Sequence, residues 1–149
     1  MKRQVLMMMT VLALFTTLAI LQVEAQNAGN MTVSIPFDFS VSGKTLPAGD
    51  YLVQRSSQGG RIVTQIRNGE KVEAVYLQQT HAVQKNEIQP ESKLVFNKYG
   101  NQYFLSQVWL AGRSSGEELA RSNRERILQH ETARSLHKPE TVAVVGRSN

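Results

Sequence analysis

The sequence predicts a mainly β fold, an antiparallel β-sandwich or small barrel of about six to seven strands with one C-terminal α-helix. Three observations support this prediction. Apolar residues occupy every second position from Val33 to Val41, which is typical of a strand with one buried face. Turn signals recur at short intervals, as they do in all-β folds. A capping-box sequence from Ser115 to Glu118 predicts a helix start late in the chain.

The first 25 residues have the pattern of a secretory signal peptide. Lys2 and Arg3 precede a largely apolar run, and Val23 and Ala25 stand three and one positions before the expected cut. The run is long enough to span a bilayer if it is not removed, so a retained membrane anchor is the alternative. We favour cleavage because threonines and a glutamine dilute the run and a polar segment follows at once.

Cleavage would leave residues 26–149 as one β-rich domain, exported to the periplasm or the medium, with no membrane span. This domain keeps 15 of the 17 basic and 11 of the 12 acidic residues, so its net charge is +4. The chain has no cysteine, which excludes disulfides, thiol catalysis and cysteine-ligated zinc. No nucleic-acid-binding signature accompanies the mild positive charge. We therefore expect no nucleic-acid partner, and only weak attraction to anionic surfaces.

The first predicted hairpin begins with the strand from Val33 to Val41. Pro36 lies on its polar side and cannot donate to a ladder, which indicates an edge strand or a bulge. Residues 42–44 then turn the chain. Pro47 suits the second position of a type I turn, and Gly49 suits the left-handed conformation that follows it. Every residue of this hairpin except its two aspartates has a structural explanation in the sequence.

The remaining predicted strands are bounded by turn and loop residues. The bend signals are "SSQGG" at 56–60 and the Asn-Gly pair at Asn68, and residues 84–92 are predicted to form a loop. Between these signals lie predicted strands at 51–54, 61–67 and 71–83, followed by a hairpin over 93–110.

The predicted helix covers about residues 116–137. Acidic residues stand at its start and basic residues near its end, as the helix dipole favours, and Pro139 ends it. Glu117 and Arg121 would form an i,i+4 ion pair. We expect this helix to lie on the sheet with much of its surface exposed. Residues 138–149 would follow as a short strand or a loose tail.

The sequence gives little support to catalytic chemistry. Five residues around Ser114 match the letters of a nucleophile elbow, but the chain lacks the alternating strands and helices that this motif needs. His130 and His137 would be about 10 Å apart on one helix, too far to share a metal ion. Asp38 and Asp50 are ordinary turn residues by default. We expect no catalytic residue, no metal site and no cofactor.

One candidate for ligand binding is the aromatic strand near residue 105. If the strand alternates regularly, three of its side chains share one face and could line a cavity for an apolar small molecule: Tyr103, Leu105 and Trp109. Core packing, or cover by the helix, is the alternative.

A candidate for partner binding is a group of arginines on the predicted helix. Arg121 and Arg124 would be i,i+3 neighbours, while Arg126 would point elsewhere. They could contact an anionic partner such as a cell-envelope component. The alternative is an ordinary charged helix face in solvent.

Three stretches also carry a resemblance. The "LPAGDY" turn, the run "SKLVFNKYGNQYFLSQVW" and the late "SNRER" follow a signal peptide, and this combination resembles a family of small exported proteins common in acidobacteria. The resemblance implies bacterial origin and export, and it implies no catalytic residue.

Our leading hypothesis is therefore an exported, non-enzymatic binding or structural module. A small barrel carrying an apolar ligand is second, and a hydrolase is third.

Overall fold

Eleven strands and one helix are present in the residues that the computed structural model describes, which are 29–58, 61–68, 71–77, 80–134 and 140–148. The predicted signal segment at 1–25 lies outside these residues. The elements are β1 (Asn30–Ile35), β2 (Phe39–Val41), β3 (Lys44–Leu46), β4 (Gly49–Gln58), β5 (Arg61–Asn68), β6 (Lys71–Leu77), β7 (Thr80–Gln84), β8 (Ser92–Tyr99), β9 (Gln102–Trp109), β10 (Ser115–Leu119), α1 (Asn123–Arg134) and β11 (Glu140–Ser148). The predicted mainly β fold with one late helix is confirmed.

Seven strands of six to ten residues lie side by side in the order β9–β8–β11–β1–β4–β5–β6. Every pairing among them is antiparallel. The sheet is open and curled, so it forms half of a barrel. The four short strands lie beside β9: β2 pairs with it in parallel and carries β3, while β10 pairs with it antiparallel and carries β7.

The predicted strand from Val33 to Val41 is two strands. It is interrupted at Pro36, which follows the last residue of β1 and has no amide proton for a ladder. The buried face nevertheless continues across the break, because Ile35 and Phe39 are only 2% and 1% exposed. Four of the five predicted core positions are therefore buried, and Phe37 is half-buried against the core, although the predicted continuous strand is wrong.

The "LPAGDY" turn is fixed by its own side chains. The Tyr51 hydroxyl donates to the Pro47 carbonyl oxygen at 2.5 Å, and this bond ties the strand back to the turn that precedes it. Gly49 has a φ of +156°, which L side chains rarely adopt. The left-handed conformation that the sequence predicts for Gly49 is wrong, because this residue begins the extended strand β4 and its φ lies far from the left-handed helical region.

The two aspartates of the first hairpin have structural partners of their own. Asp38 accepts a hydrogen bond from the Ala48 amide at 2.8 Å, and Asp50 accepts one from the Ser34 hydroxyl. Between them, Ser42 and Gly43 have φ values of +49° and +80° and form the two-residue turn from β2 to β3. The turn predicted at 42–44 is confirmed.

Two predicted boundaries in the middle of the chain are wrong. The strand predicted at 71–83 is divided into β6 and β7, which pair with β5 and β10 respectively. The bend predicted at 56–60 begins too early, because β4 continues in register with β5 up to Gln58. Both errors arise because strand partners, which the local sequence does not reveal, decide where a strand ends.

The helix starts later than the sequence predicts. Ser115 to Leu119 form β10, which is held between β9 and β7, so the predicted capping box there is wrong. The true cap is Ser122, whose hydroxyl accepts a hydrogen bond from the Glu125 amide at 3.2 Å. The "SNRE" sequence at 122–125 has the same capping-box spacing.

The C-terminal strand is central to the sheet. β11 pairs with β8 over seven residues, from Glu140 to Gly146, and with β1 at Ser148 and Arg147. Of the two predicted alternatives for 138–149, the strand is therefore right. The core lies against the concave face of the sheet, and its fully buried members come from strands on both sides of β11: Met31, Val33, Val53, Ile66, Leu94 and Phe96.

Candidate functional site

The aromatic strand is packed rather than open. Tyr103 stacks on Phe37, with ring centroids 3.8 Å apart and an angle of 14° between the rings. Phe37 in turn meets the edge of Phe96 at 5.2 Å. Leu105 belongs to the core cluster and is 4% exposed. These two predicted ligand-lining residues therefore contact other side chains in the folded protein.

A bulge places Trp109 on the opposite face. In the β8–β9 ladder Phe96 pairs with Leu105, but Val95 pairs with Gln107, so Ser106 is an extra residue. The alternation reverses beyond it, and Val108 rather than Trp109 joins Leu105 in the core. The prediction that Tyr103, Leu105 and Trp109 share one face is wrong for this reason.

Trp109 covers a glycine on the neighbouring strand. A Cβ atom on Gly116 would lie only 2.6 Å from the indole ring. The indole Nε1 donates to the Gln107 side chain at 2.9 Å, and the Lys85 ammonium lies 4.8 Å from the ring centroid. Trp109 is 2% exposed, so its environment is a packed contact between β9, β10 and the segment after β7.

A cleft lies between β4 and β10, at one end of the half-barrel. Its empty volume is about 290 Å³ with its open mouth included. The walls combine apolar side chains with one cation and one anion: Val53, Val108, Leu110, Arg55 and Glu117. Arg55 continues the inward face of β4 two residues beyond Val53, just where the core ends.

Arg55 and Glu117 form an ion pair inside this cleft. Arg55 Nε lies 2.8 Å from Glu117 Oε1, and the two side chains are 20% and 12% exposed. The angle at Nε is unsuitable for a hydrogen bond, and this buried atom has no other partner among the described residues. The pair is therefore a charge contact, and it joins β4 to β10 across the open side of the sheet.

A second cleft lies where α1 meets the sheet, and its empty volume is about 230 Å³ with its open mouth included. Glu125 lines it and is 4% exposed. This carboxylate accepts a hydrogen bond from the Asn97 side chain at 2.9 Å and lies 4.0 Å from Arg121 Nε. Burial and the negative charge of Glu125 raise the pKa of the neighbouring Tyr99. These contacts attach the helix to β8.

The predicted partner-binding arginines do not form one helical group. Arg121 precedes α1 and lies beside Glu125, so its predicted helical relation to Arg124 and to Glu117 is wrong. Arg124 donates from Nε to the Gln102 side chain at 3.0 Å. Arg126 donates to the Asn123 side chain. Both of these partners are neutral, so the two positive charges are not cancelled by them.

The candidate catalytic groups are dispersed. Ser114 lies in the turn before β10, where its carbonyl oxygen accepts a hydrogen bond from the Lys85 amide at 2.8 Å. His130 lies on the exposed side of α1, and His81 lies on β7. His137 lies outside the described residues. Within the described ranges, no three metal-binding side chains come together and no helix is long and apolar enough to cross a membrane.

No protein family, curated protein or solved structure matches this chain. The resemblance to an exported acidobacterial family therefore stays a prediction. Sequence reasoning missed the Arg55–Glu117 pair, because residues 62 positions apart gave no local signal of their contact. A weak signal existed at Arg55 alone, since it continues the alternation of Tyr51 and Val53 into a position that should be apolar.

Proposed function

We propose that the chain is an exported, non-enzymatic binding module that attaches peripherally to membranes containing anionic lipids. The contact surface is the outward face of α1. The observation that carries this proposal is that α1 attaches to the sheet by one side and leaves its cationic side in solvent.

The inward side of α1 is narrow. Glu125 is the one residue of the helix that is buried, and three others are half-buried: Leu128, Gln129 and Thr132. These four residues follow the three- and four-residue spacing that places side chains on a common helix face. The remaining residues of the helix are exposed, although Arg124 also donates a hydrogen bond to Gln102 on β9.

The outward side combines a net positive charge, three arginines against the exposed Glu131, with one large apolar side chain. Arg124, Arg126 and Arg134 are exposed, and Ile127, which lies between them, is 59% exposed. Arginine binds phosphate oxygens well, and an apolar residue amid cations can enter the boundary between headgroups and acyl chains. With this little apolar surface, the expected attachment is weak, reversible and sensitive to salt.

Co-sedimentation with lipid vesicles tests the proposal. The mature chain, residues 26–149, should bind vesicles of phosphatidylglycerol and phosphatidylcholine, should not bind vesicles of phosphatidylcholine alone, and should detach in high salt. Each arginine near an anionic surface contributes about 1 kcal/mol, so the double variant R124Q/R126Q should bind about thirtyfold more weakly.

A matched double variant distinguishes the contribution of the α1 arginines to membrane binding from that of the protein's net positive charge. K93Q/R147Q removes two positive charges from β8 and β11, where Arg147 is exposed and Lys93 is half-buried. It should bind nearly as well as the unmodified protein. Equal weakening by the two double variants would overturn the assignment to α1, and failure to bind anionic vesicles would overturn the proposed function.

A further inference from the structure

We infer that α1 holds the phosphodiester groups of lipids in the guanidinium forks of Arg124 and Arg126, and that Gln102 and Asn123 orient these two arginines. This recognition rests on the proposed membrane attachment, and it specifies the chemical group that the helix binds there. A helix that responded to negative charge alone would bind equally well with lysine at both positions.

Each of the two oriented arginines, Arg124 and Arg126, is held by a side-chain amide. Arg124 Nε donates to Gln102 Oε1 at 3.0 Å, and this bond joins α1 to the first residue of β9. Arg126 donates through a terminal nitrogen to Asn123 Oδ1, three residues earlier on the helix. A long side chain that is already held loses less rotamer freedom when it binds a ligand, so these contacts lower the entropic cost of binding.

The amide partners are uncharged, which distinguishes the oriented arginines from two other arginines of the fold. Arg55 Nε lies 2.8 Å from the carboxylate of Glu117. Arg121 Nε lies 4.0 Å from the carboxylate of Glu125. In both pairs the carboxylate offsets the positive charge, whereas an amide oxygen orients a guanidinium and leaves its charge in place. The oriented arginines are therefore suited to an anion that comes from outside the protein.

The shape of the guanidinium group matches a phosphodiester. Both oriented arginines are exposed, so solvent reaches each guanidinium, and each amide contact runs through one of its several N–H donors. A planar fork of such donors can bind two oxygens of one phosphate, whereas a lysine ammonium acts as a point charge. Residues two apart lie on different sides of a helix, so Arg124 and Arg126 would hold separate phosphodiesters.

Vesicle binding by lysine variants tests the role of the forks. R124K and R126K keep the charge of the helix, yet each should bind vesicles of phosphatidylglycerol and phosphatidylcholine about three- to tenfold more weakly than the unmodified mature chain. Because the arginines hold separate groups, the two losses should multiply in R124K/R126K. R147K, on β11, is the matched control and should bind unchanged. Binding by R124K/R126K as tight as that of the unmodified protein would overturn the proposal.

A double-mutant cycle tests the positioning role of Gln102. Q102M removes the hydrogen-bond acceptor at nearly constant size and should weaken vesicle binding about two- to tenfold, because Arg124 is no longer held. In the R124K background the same change should have little effect, since no fork is left to orient. Circular dichroism verifies that each variant is folded. A merely structural role for Gln102 would lower binding by the same factor in both backgrounds, and that result would overturn its assignment.

A soluble phosphodiester tests this recognition independently of membrane attachment. Dimethyl phosphate should shift the Nε–H NMR signals of Arg124 and Arg126 saturably, with a dissociation constant on the order of tens of millimolar. Sodium chloride at the same ionic strength should not, because a single-atom anion lacks the two oxygens that match the fork. Equal shifts with the two salts would overturn the proposal even if vesicles bind. Saturable shifts without vesicle binding would overturn the membrane as the source of the phosphodiester, and with it the proposed function.

Discussion

Gly116 and Trp109 show how a single contact fixes the position of a strand. The indole ring lies directly over the Gly116 α-carbon, and any side chain there would enter the ring. The sequence gives Gly116 the appearance of a linker residue in "GRSSG", which favoured the wrong prediction of a helix cap. Its real role is to let β10 approach β9 closely enough to pair, so a glycine in a strand here marks a close approach.

G116A should therefore destabilise the protein, although alanine normally suits strands better than glycine does. The added Cβ would lie 2.6 Å from the indole ring, and overpacking of this kind typically costs about 1–3 kcal/mol. Denaturant unfolding measures the loss. Because Trp109 is the chain's one tryptophan, its fluorescence should change in the folded state. G112A is unsuitable as a control because Gly112 has a φ of +75°, so S114A serves instead. If both the emission spectrum and the stability of G116A were unchanged, the close approach of Gly116 to the Trp109 ring would be contradicted.

At the scale of the element, α1 depends on a few polar contacts rather than on an apolar stripe. Glu125 connects it to Asn97, and Ser122 caps it. Tyr99 lies beneath this attachment and is 5% exposed. Its pKa is raised, first by burial and then by the nearby Glu125, because both disfavour the phenolate. The attachment of the helix should therefore be sensitive to alkaline pH.

The sign of this pH dependence follows from linkage. Since the pKa of Tyr99 is higher in the folded state, its contribution is fully present below the unfolded value of about 10 and is lost as pH rises through the folded value. Y99F should flatten the fall in stability above pH 10, measured by urea unfolding at a series of pH values. Lys98, whose pKa is raised by its hydrogen bond with Glu140, contributes in the same pH range, so K98Q is the comparison variant. The role of Tyr99 would be refuted if the free energy of unfolding fell above pH 10 in the same way in Y99F and in the unmodified protein.

At the scale of the whole molecule, alternation and turn chemistry predicted the class of fold and most of the core, because both are written in neighbouring residues. Val33 and Phe39 are buried as the alternation requires. The bulge at Ser106 could not be predicted, since it is defined by the partner strand β8. Likewise, Arg55 and Glu117 meet only because the sheet curls. Local pattern thus predicted the class of fold and most buried positions, whereas non-local pairing decided where several elements end and which residues line the cleft between β4 and β10.

The position of β11 leads to a prediction about the whole fold. This strand pairs with β8 on one side and with β1 on the other, so it joins the two parts of the half-barrel although it comes last in the chain. Truncation after residue 138 should abolish cooperative folding. Strands β1 and β8 would lose the strand that pairs with both of them, and the buried side chains on these two strands would become exposed to solvent. Circular dichroism and amide chemical-shift dispersion measure this. The control is V145T, which changes a 55% exposed residue of the same strand and should unfold within about 0.5 kcal/mol of the unmodified protein. A truncated chain that still unfolds in one sharp transition would show that β11 is an accessory strand and that the core is complete without it.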